Sequence, residues 1–338
     1  MPALLIVNPH ATATTQLRRD VITHALASQM DLEVVETRYR GHAGTLARQA
    51  ASDGFQLILT LGGDGTVNEA VNGLLRGWRP GTDPAFAPVP GGNANVFTRA
   101  LGLPADPVDA TGRILEALRA GRDRRVGLGC ATPGAATAGG PAPDEATPDE
   151  ATPGGATLAG GRHRYFTFNA GLGLDAEVVR VIEELREHGR TLTPGLYLRT
   201  ALRQFYAVTD RRHPALTLER EGQSPIGPLF LGIISNTSPW TYLGPRPVNP
   251  SPGAGFDTGL DIFALRRMGT IATLNALRQM FAQRSEPPRG RHVVSLHDQP
   301  GFTLRSDHPV ALQVDGEYVG EHESVTFRAV PRALRVIA

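Results

Sequence analysis

Apolar positions along the first 120 residues follow two alternating periods. Residues 3–7, 32–35, 57–61 and 86–89 are apolar runs of strand length. Between them Leu17, Val21 and Ala25, and then Val67, Ala70, Val71 and Leu74, recur at helical spacing. Strand alternating with helix predicts a parallel sheet covered by helices on both faces, with ligands at the carboxyl ends of its strands. A further helix over 95–101 is stopped by Gly102, with Pro104 two residues on. From residue 164 the pattern turns to strands, at 165–168, 215–218, 229–234, 260–264, 293–296, 310–314 and 324–327. Helical stretches near 177–187, 197–208 and 270–281 interrupt them. The expected fold is α/β plus β. A doubly wound parallel-sheet domain takes residues 1–124 together with 331–338, and a β-sandwich domain takes 125–330.

Composition adds one feature to this plan. Of the 31 residues from 131 to 161, 26 are Ala, Gly, Pro or Thr, and Leu158 is the only large apolar one. Such a stretch cannot offset the entropy of ordering it, so it reads as a disordered insertion holding nothing catalytic. The chain's 34 basic residues balance 33 acidic ones, which gives no reason to expect nucleic acid as a partner. All 34 are arginine, and the absence of lysine excludes a P-loop lysine, a Schiff base and a lysine general base. One cysteine, Cys130, forms neither an internal disulfide nor a thiolate zinc cluster and points to a reducing cytoplasm. No run approaches the ~18 apolar residues that span a bilayer, and the apolar start is too short for a signal peptide.

Chemistry concentrates in three loops at strand ends. The strand at 57–61 runs into Gly62, Gly63, Asp64, Gly65 and Thr66, and a helix begins at once. Glycines let a ligand approach the backbone, and the free amides of a helix start attract phosphate. Asp64 among them would repel phosphate without a cation between, so the pairing suggests Mg²⁺ and a nucleotide. Alone, Gly-Gly-Asp-Gly reads better as a tight turn; the strand before it and the helix after it reverse that preference in favour of phosphate. A second turn, Pro90-Gly91-Gly92-Asn93-Ala94-Asn95, follows the next strand, and the first strand ends in Asn8-Pro9-His10-Ala11-Thr12.

These residues resemble the diacylglycerol kinase catalytic-domain family, lipid kinases that include sphingosine and ceramide kinases. Val7-Asn8-Pro9, Gly62 to Glu69 and Pro90 to Arg99 match its nucleotide-binding loops, Phe168 to Ala176 the start of its second domain, and Val314-Asp315-Gly316-Glu317 its catalytic turn. The resemblance implies ATP and Mg²⁺ as cofactors and an active site in the cleft between the domains. By position, Asn8, Pro9, His10, Ala11, Thr12, Thr37, Gly63, Asp64, Gly65, Thr66, Val67, Asn68, Glu69, Gly92 and Asn93 would surround ATP. Asp315 and Glu317 would face it as catalytic residues. Three positions depart from the family pattern: Val96, Gly127 and Thr258 stand where relatives carry acids, so metal handling rests on Asp64 with Asp257 as substitute.

Phosphoryl transfer to an alcohol needs a proton acceptor near the hydroxyl, and two strand carboxylates two residues apart share one face. Asp315 is the expected acceptor, with Glu317 orienting the hydroxyl or a metal-bound water. The same residues alone would fit a hairpin turn with solvated acids. The expected activity is transfer of the γ-phosphoryl group to a lipid hydroxyl, diacylglycerol giving phosphatidic acid, by a cytoplasmic protein peripheral at the inner face of the membrane. A homodimer is the expected assembly. A kinase of a soluble alcohol or of NAD, and an inactive binding protein, are the competing readings. Trp240 and Tyr242 read as core packing, His10 and His42 as loop residues.

Overall fold

The computed structural model describes residues 1–11, 14–77, 83–134, 163–173, 176–181, 214–282 and 284–338. In the first unit β1 (Pro2–Val7), β2 (Asp31–Glu36), β3 (Leu57–Gly62) and β4 (Ala85–Pro90) run parallel in the order β2-β1-β3-β4. Every residue of β3 and β4 is buried, as central parallel strands require. α1 (Gln16–Ala27), α2 (His42–Ser52) and α3 (Asp64–Gly77) follow the first three strands, and α4 (Val96–Ala100) and α5 (Pro107–Arg119) follow β4.

The chain steps one way from β1 to β2 and then the other way to β3 and β4. Right-handed crossovers therefore put α1 on one face and α2 with α3 on the other. Packing agrees, since α1 lies on α5 and α2 on α3. The α2–α3 approach is close enough that a Cβ on Gly73 would stand 2.0 Å from the Gly44 carbonyl oxygen. Reversal of strand order opens a crevice beyond the carboxyl ends of β1 and β3, the place where open α/β sheets bind ligands.

One helix face differs from the expectation. On α1 the buried residues are Ile22 and Leu26, while Leu17 and Val21 are exposed. Two apolar rows lie side by side on this helix, and the one carrying Ile22 and Leu26 packs into the core of the first unit.

The second unit comprises β5 (Arg124–Pro133), β6 (Arg164–Phe166), β7 (Asn169–Gly173), β8 (Leu216–Arg220), β9 (Gln223–Leu229) and β10 (Leu231–Ser235). A short hairpin of β11 (Thr241–Leu243) and β12 (Arg246–Val248) follows. Then come β13 (Leu260–Leu265), α6 (Thr270–Met280), β14 (Val293–Gln299), β15 (Gly301–Val314) and β16 (Glu317–Val336). Register between β15 and β16 shifts between Arg305 and Val310; β15 pairs with β8 before that shift and with β7 after it. The ladder thereby changes layer around Phe166, Leu172, Leu218, Ile262, Leu304, Val314 and Phe327. β16 continues past β5 to β4, where Val336 aligns with Phe86 and the Ile337 amide donates to the Phe86 carbonyl at 3.0 Å. The C-terminal strand thus pairs with β4, and one sheet runs through both units.

The expected insertion at 131–161 starts too early. Ala131, Thr132 and Pro133 belong to β5, paired with Phe327, Thr326 and Val325, because small residues fit beneath the bulky strand opposite. Residues 135–162 and the expected helix at 197–208 lie outside the described residues.

Candidate active site

The three loops meet at the crevice. The Asn8 amide donates to the Leu61 carbonyl at 2.9 Å, and its side-chain Nδ2 donates to Thr66 Oγ1 at 3.1 Å. Asn8 Oδ1 accepts the His10 amide, and the Pro9 carbonyl accepts from Arg19. Thr37 joins this edge through its amide on the Val7 carbonyl at 2.8 Å. The glycine loops touch backbone to backbone: the Gly91 amide donates to the Gly62 carbonyl at 2.7 Å, and a Cβ on Gly92 would stand 2.7 Å from Gly63 Cα. No side chain fits between them. The first-turn amides of α3 have no partner within the helix and open onto this junction. Asn8, Pro9, His10, Ala11, Thr37, Gly63, Gly65, Thr66, Gly92 and Asn93 are therefore brought together at one edge; Thr12 lies outside the described residues.

Val67 and Glu69 are placed differently. Val67 is buried in the core of the first unit, so its side chain cannot meet a nucleotide. Glu69 points to the start of α2, where its Oε1 accepts the Gly41 amide at 2.7 Å. Burial, helped by the nearby Glu317 carboxylate, pushes its pKa up to about 7.

Asp64 also serves a helix start. Its carboxylate accepts the Phe97 amide at 3.3 Å at the beginning of α4, tying the two glycine loops together. Asn95, at φ 47°, completes the turn by bonding Gly92 through both ends of its amide group. Burial pushes Asp64 up to about 6, against the pull of the amides of residues 95–97, and the Asp315 charge adds to the rise. Among the described residues no three His, Cys, Asp or Glu side chains gather to hold a metal ion. Asp257 is exposed in the loop before β13.

The centre of the site lies where α3 meets the second unit. Asn68 is fully buried and donates Nδ2 to Asp315 Oδ2 at 2.7 Å and to the Tyr165 carbonyl at 2.9 Å. Its Oδ1 accepts from Arg164 Nε and Nη2 at 3.0 and 2.8 Å. Asn72, one turn later, bonds the Tyr165 carbonyl and amide, each at 2.9 Å. Asp315 is 3% exposed and occupies the turn between β15 and β16 at φ 48°, followed by Gly316 at φ 77°. Besides Asn68, its Oδ2 accepts the Thr167 amide and hydroxyl at 2.7 and 2.8 Å, and its Oδ1 accepts the Phe168 and Asn169 amides at 3.0 and 3.1 Å. Burial raises its pKa while those donors lower it.

The shared-face expectation for the two acids therefore fails in its reasoning. Asp315 sits in a two-residue hairpin turn, not in a strand, yet it is buried among donors and not solvated. Glu317 opens β16, and its Oε2 pairs with Arg164 and with Arg40, the latter at 3.7 Å. Its Oε1 lies 2.6 Å from where a Cβ on Gly65 would stand, so this carboxylate faces the glycine loop. Both acids converge on α3, Asp315 through Asn68 and Glu317 beside Gly65.

With this geometry in view, known sequences become informative. A sequence model of the diacylglycerol kinase catalytic domain matches residues 2–130. The first part of the chain is similar to this domain. A probable lipid kinase YegS-like protein of Chromohalobacter salexigens is 36% identical over 112 residues, 33% of this chain and 35% of that protein. A diacylglycerol kinase of Bacillus subtilis is 42% identical over 72 residues, 21% of this chain and 23% of that one. The matched stretches thus span about a third or less of the length of these relatives. A crystal structure of a diacylglycerol kinase from Bacillus anthracis covers 99% of this chain and 96% of its own, with a TM-score of 0.62 and 18% identity. That likeness extends the shared fold to the second unit.

The match to the diacylglycerol kinase domain ends at Cys130, before Arg164, Asp315 and Glu317. Arg164, Asn72, Thr167 and Arg40 were not legible as site residues; only the four-residue spacing of Asn68 and Asn72 on one helix face signalled a shared partner. The three departures from the family's acids have local reasons. A Cβ on Gly127 would stand 2.5 Å from the Phe256 carbonyl oxygen, whose partner is the Gly127 amide. Val96 is buried at the start of α4. Thr258 bonds the Gly255 carbonyl within its own turn.

Proposed function

We propose that this protein is an ATP-dependent lipid kinase that phosphorylates the hydroxyl of diacylglycerol, giving phosphatidic acid. The observation that carries the reading is the glycine junction at the sheet's switch point, with Glu317 beside Gly65 and Asp315 held behind Asn68. Backbone contact fixes the two loops side by side, and the first-turn amides of α3 beside them, unpartnered within the helix, are the kind of group that holds phosphate. Asn8, Thr66 and the first-turn amides of α3 would hold the phosphates. Among the described residues no cluster of acids gathers to bind Mg²⁺ alone, so it would enter with the nucleotide. When bound it neutralises phosphate charge.

Transfer needs the lipid hydroxyl in line with the γ-phosphate and a carboxylate to take its proton. Glu317 Oε1, beside Gly65, is the group we place in that role. Asp315, with both oxygens engaged by five donors, is a positioning residue that fixes the hairpin and Asn68. Arg164 and Arg40 hold Glu317 in place.

The test is transfer of label from γ-labelled ATP in the presence of diacylglycerol, ceramide, sphingosine, NAD or glycerol. Label in phosphatidic acid supports the reading. Label in NAD or glycerol without lipid overturns it in favour of a soluble-acceptor kinase, and nucleotide binding without transfer to any acceptor overturns it in favour of a binding protein.

A further inference from the structure

Helix α6 is apolar on two opposite sides. Ala276 and Met280 are buried against Leu231, Ile233, Phe263 and Leu265. On the opposite side stand Ile271, Leu274 and Leu277, continued by Phe281 just past the last turn. At helical spacing these four share a stripe about 120° wide. Ile271 is 86% exposed and Leu274 55%. With one side already buried, a second, exposed apolar row, which Arg278 borders at helical spacing, marks an interaction surface.

Charge selects the medium. Between residues 266 and 291 stand Arg266, Arg267, Arg278, Arg284, Arg289 and Arg291 against one acid, Glu286, an excess of five in a chain whose net charge is +1. Glu286 is taken by Arg289 at 3.3 Å, and Arg266 donates to the Gly227 carbonyl. Among the described residues, Arg267, Arg278, Arg284 and Arg291 are exposed and make no ion pair with a carboxylate. An apolar row fringed by unpaired guanidinium groups matches an anionic bilayer, whose headgroups attract the arginines while the row enters the acyl boundary.

We propose that α6 docks the protein on anionic phospholipid, with Ile271, Leu274, Leu277 and Phe281 inserted and the arginines on headgroup phosphates. The proposal rests on the lipid kinase reading and deepens it. Its position serves that reading. The Met280 carbonyl accepts the Asn249 amide at 3.0 Å, Asn249 Oδ1 accepts the Ser238 hydroxyl at 3.0 Å, and the Trp240 carbonyl accepts from Asn169 at 2.8 Å. Asn169 in turn bonds Asp315, so the docking helix is braced against the wall of the acid cluster. No described helix is long and apolar enough to cross a membrane, so contact through α6 would be with the surface.

The experiment is co-sedimentation of the full chain with vesicles of phosphatidylcholine alone or mixed with phosphatidylglycerol. Two variants are compared: Ile271→Ser with Leu274→Ser and Phe281→Ser, and Arg267→Gln with Arg284→Gln. The expected result is binding only to the anionic vesicles, weakened by salt, and reduced about tenfold or more in each variant. Activity on detergent-dispersed diacylglycerol should be unchanged. Equal binding by wild type and variants, or none by wild type, overturns the proposal. A wild-type dimer that the serine variant converts to monomer also overturns it, since a second copy then covers the face. Phosphotransfer in micelles without vesicle binding removes the docking surface alone; vesicle binding without phosphotransfer removes the kinase reading alone.

Discussion

Asn68 on α3 donates its side-chain amide to Asp315 in the β15–β16 turn at 2.7 Å, joining two residues 247 positions apart. This buried bond couples the helix that follows the glycine loop to the acid hairpin. Arg164 and Tyr165 complete the junction, so the cleft is closed at its base by polar groups that satisfy one another.

Removing that link should cost stability. Asn68→Ala leaves Arg164 and Asp315 each short of a partner in a buried setting, and a loss of about 2–4 kcal/mol is expected. Asn68→Asp should cost more, because it sets a second carboxylate against Asp315. Urea unfolding checks both. A midpoint unchanged in either variant would contradict a structural role for this bond.

Much of the first unit is legible because its alternation of period is strong: β1, β2, β3 and β4 lie within one or two residues of their expected ends. What escapes is phase and long-range partnership. Leu17 and Val21 have the right spacing for a buried face, but Ile22 and Leu26 have it too, and only packing on the sheet decides. Arg164 follows directly on a low-complexity stretch, and nothing local announces that its guanidinium meets Asn68. Asp315 and Glu317 are legible as a pair, but spacing cannot show that one is enclosed by donors while the other looks at Gly65.

The two acids should respond differently to neutralisation. Glu317→Gln is expected to cut turnover about 10²-fold while nucleotide affinity and melting temperature stay near wild type. Asp315→Asn turns an acceptor toward the amides of residues 167–169 into a partial donor, so it should lower the urea midpoint as well as activity. Steady-state kinetics and unfolding of both variants distinguish them. An Asp315→Asn protein as stable as wild type would contradict the positioning role.

Gly65 offers a test in which stability and activity part. Alanine is the better helix former, by about 1 kcal/mol, but its Cβ would stand 2.6 Å from Glu317 Oε1 and push that carboxylate aside. Gly65→Ala should therefore melt no lower than wild type and turn over at least about tenfold more slowly. Full activity with unchanged stability would place Glu317 elsewhere during catalysis.

Stability of the ligand-free protein should fall as pH rises. Asp64 is raised from 3.8 to about 6 and Glu69 from 4.5 to about 7, so the folded chain holds more protons than the unfolded chain across that window. Their contribution is present below pH 4 and is lost by pH 7. Melting temperatures from pH 5 to 8 should decline less steeply in Glu69→Gln, whose amide oxygen still accepts from Gly41. Identical slopes would contradict the burial of this charge.

The most direct test of the account is single-turnover transfer from γ-labelled ATP to diacylglycerol in mixed micelles, run with wild type and Glu317→Gln at saturating nucleotide. The account predicts label in phosphatidic acid with wild type and a transfer rate about 10²-fold lower in the variant, with ATP still bound. Equal rates for the two proteins, or label appearing only in a water-soluble acceptor, would contradict it.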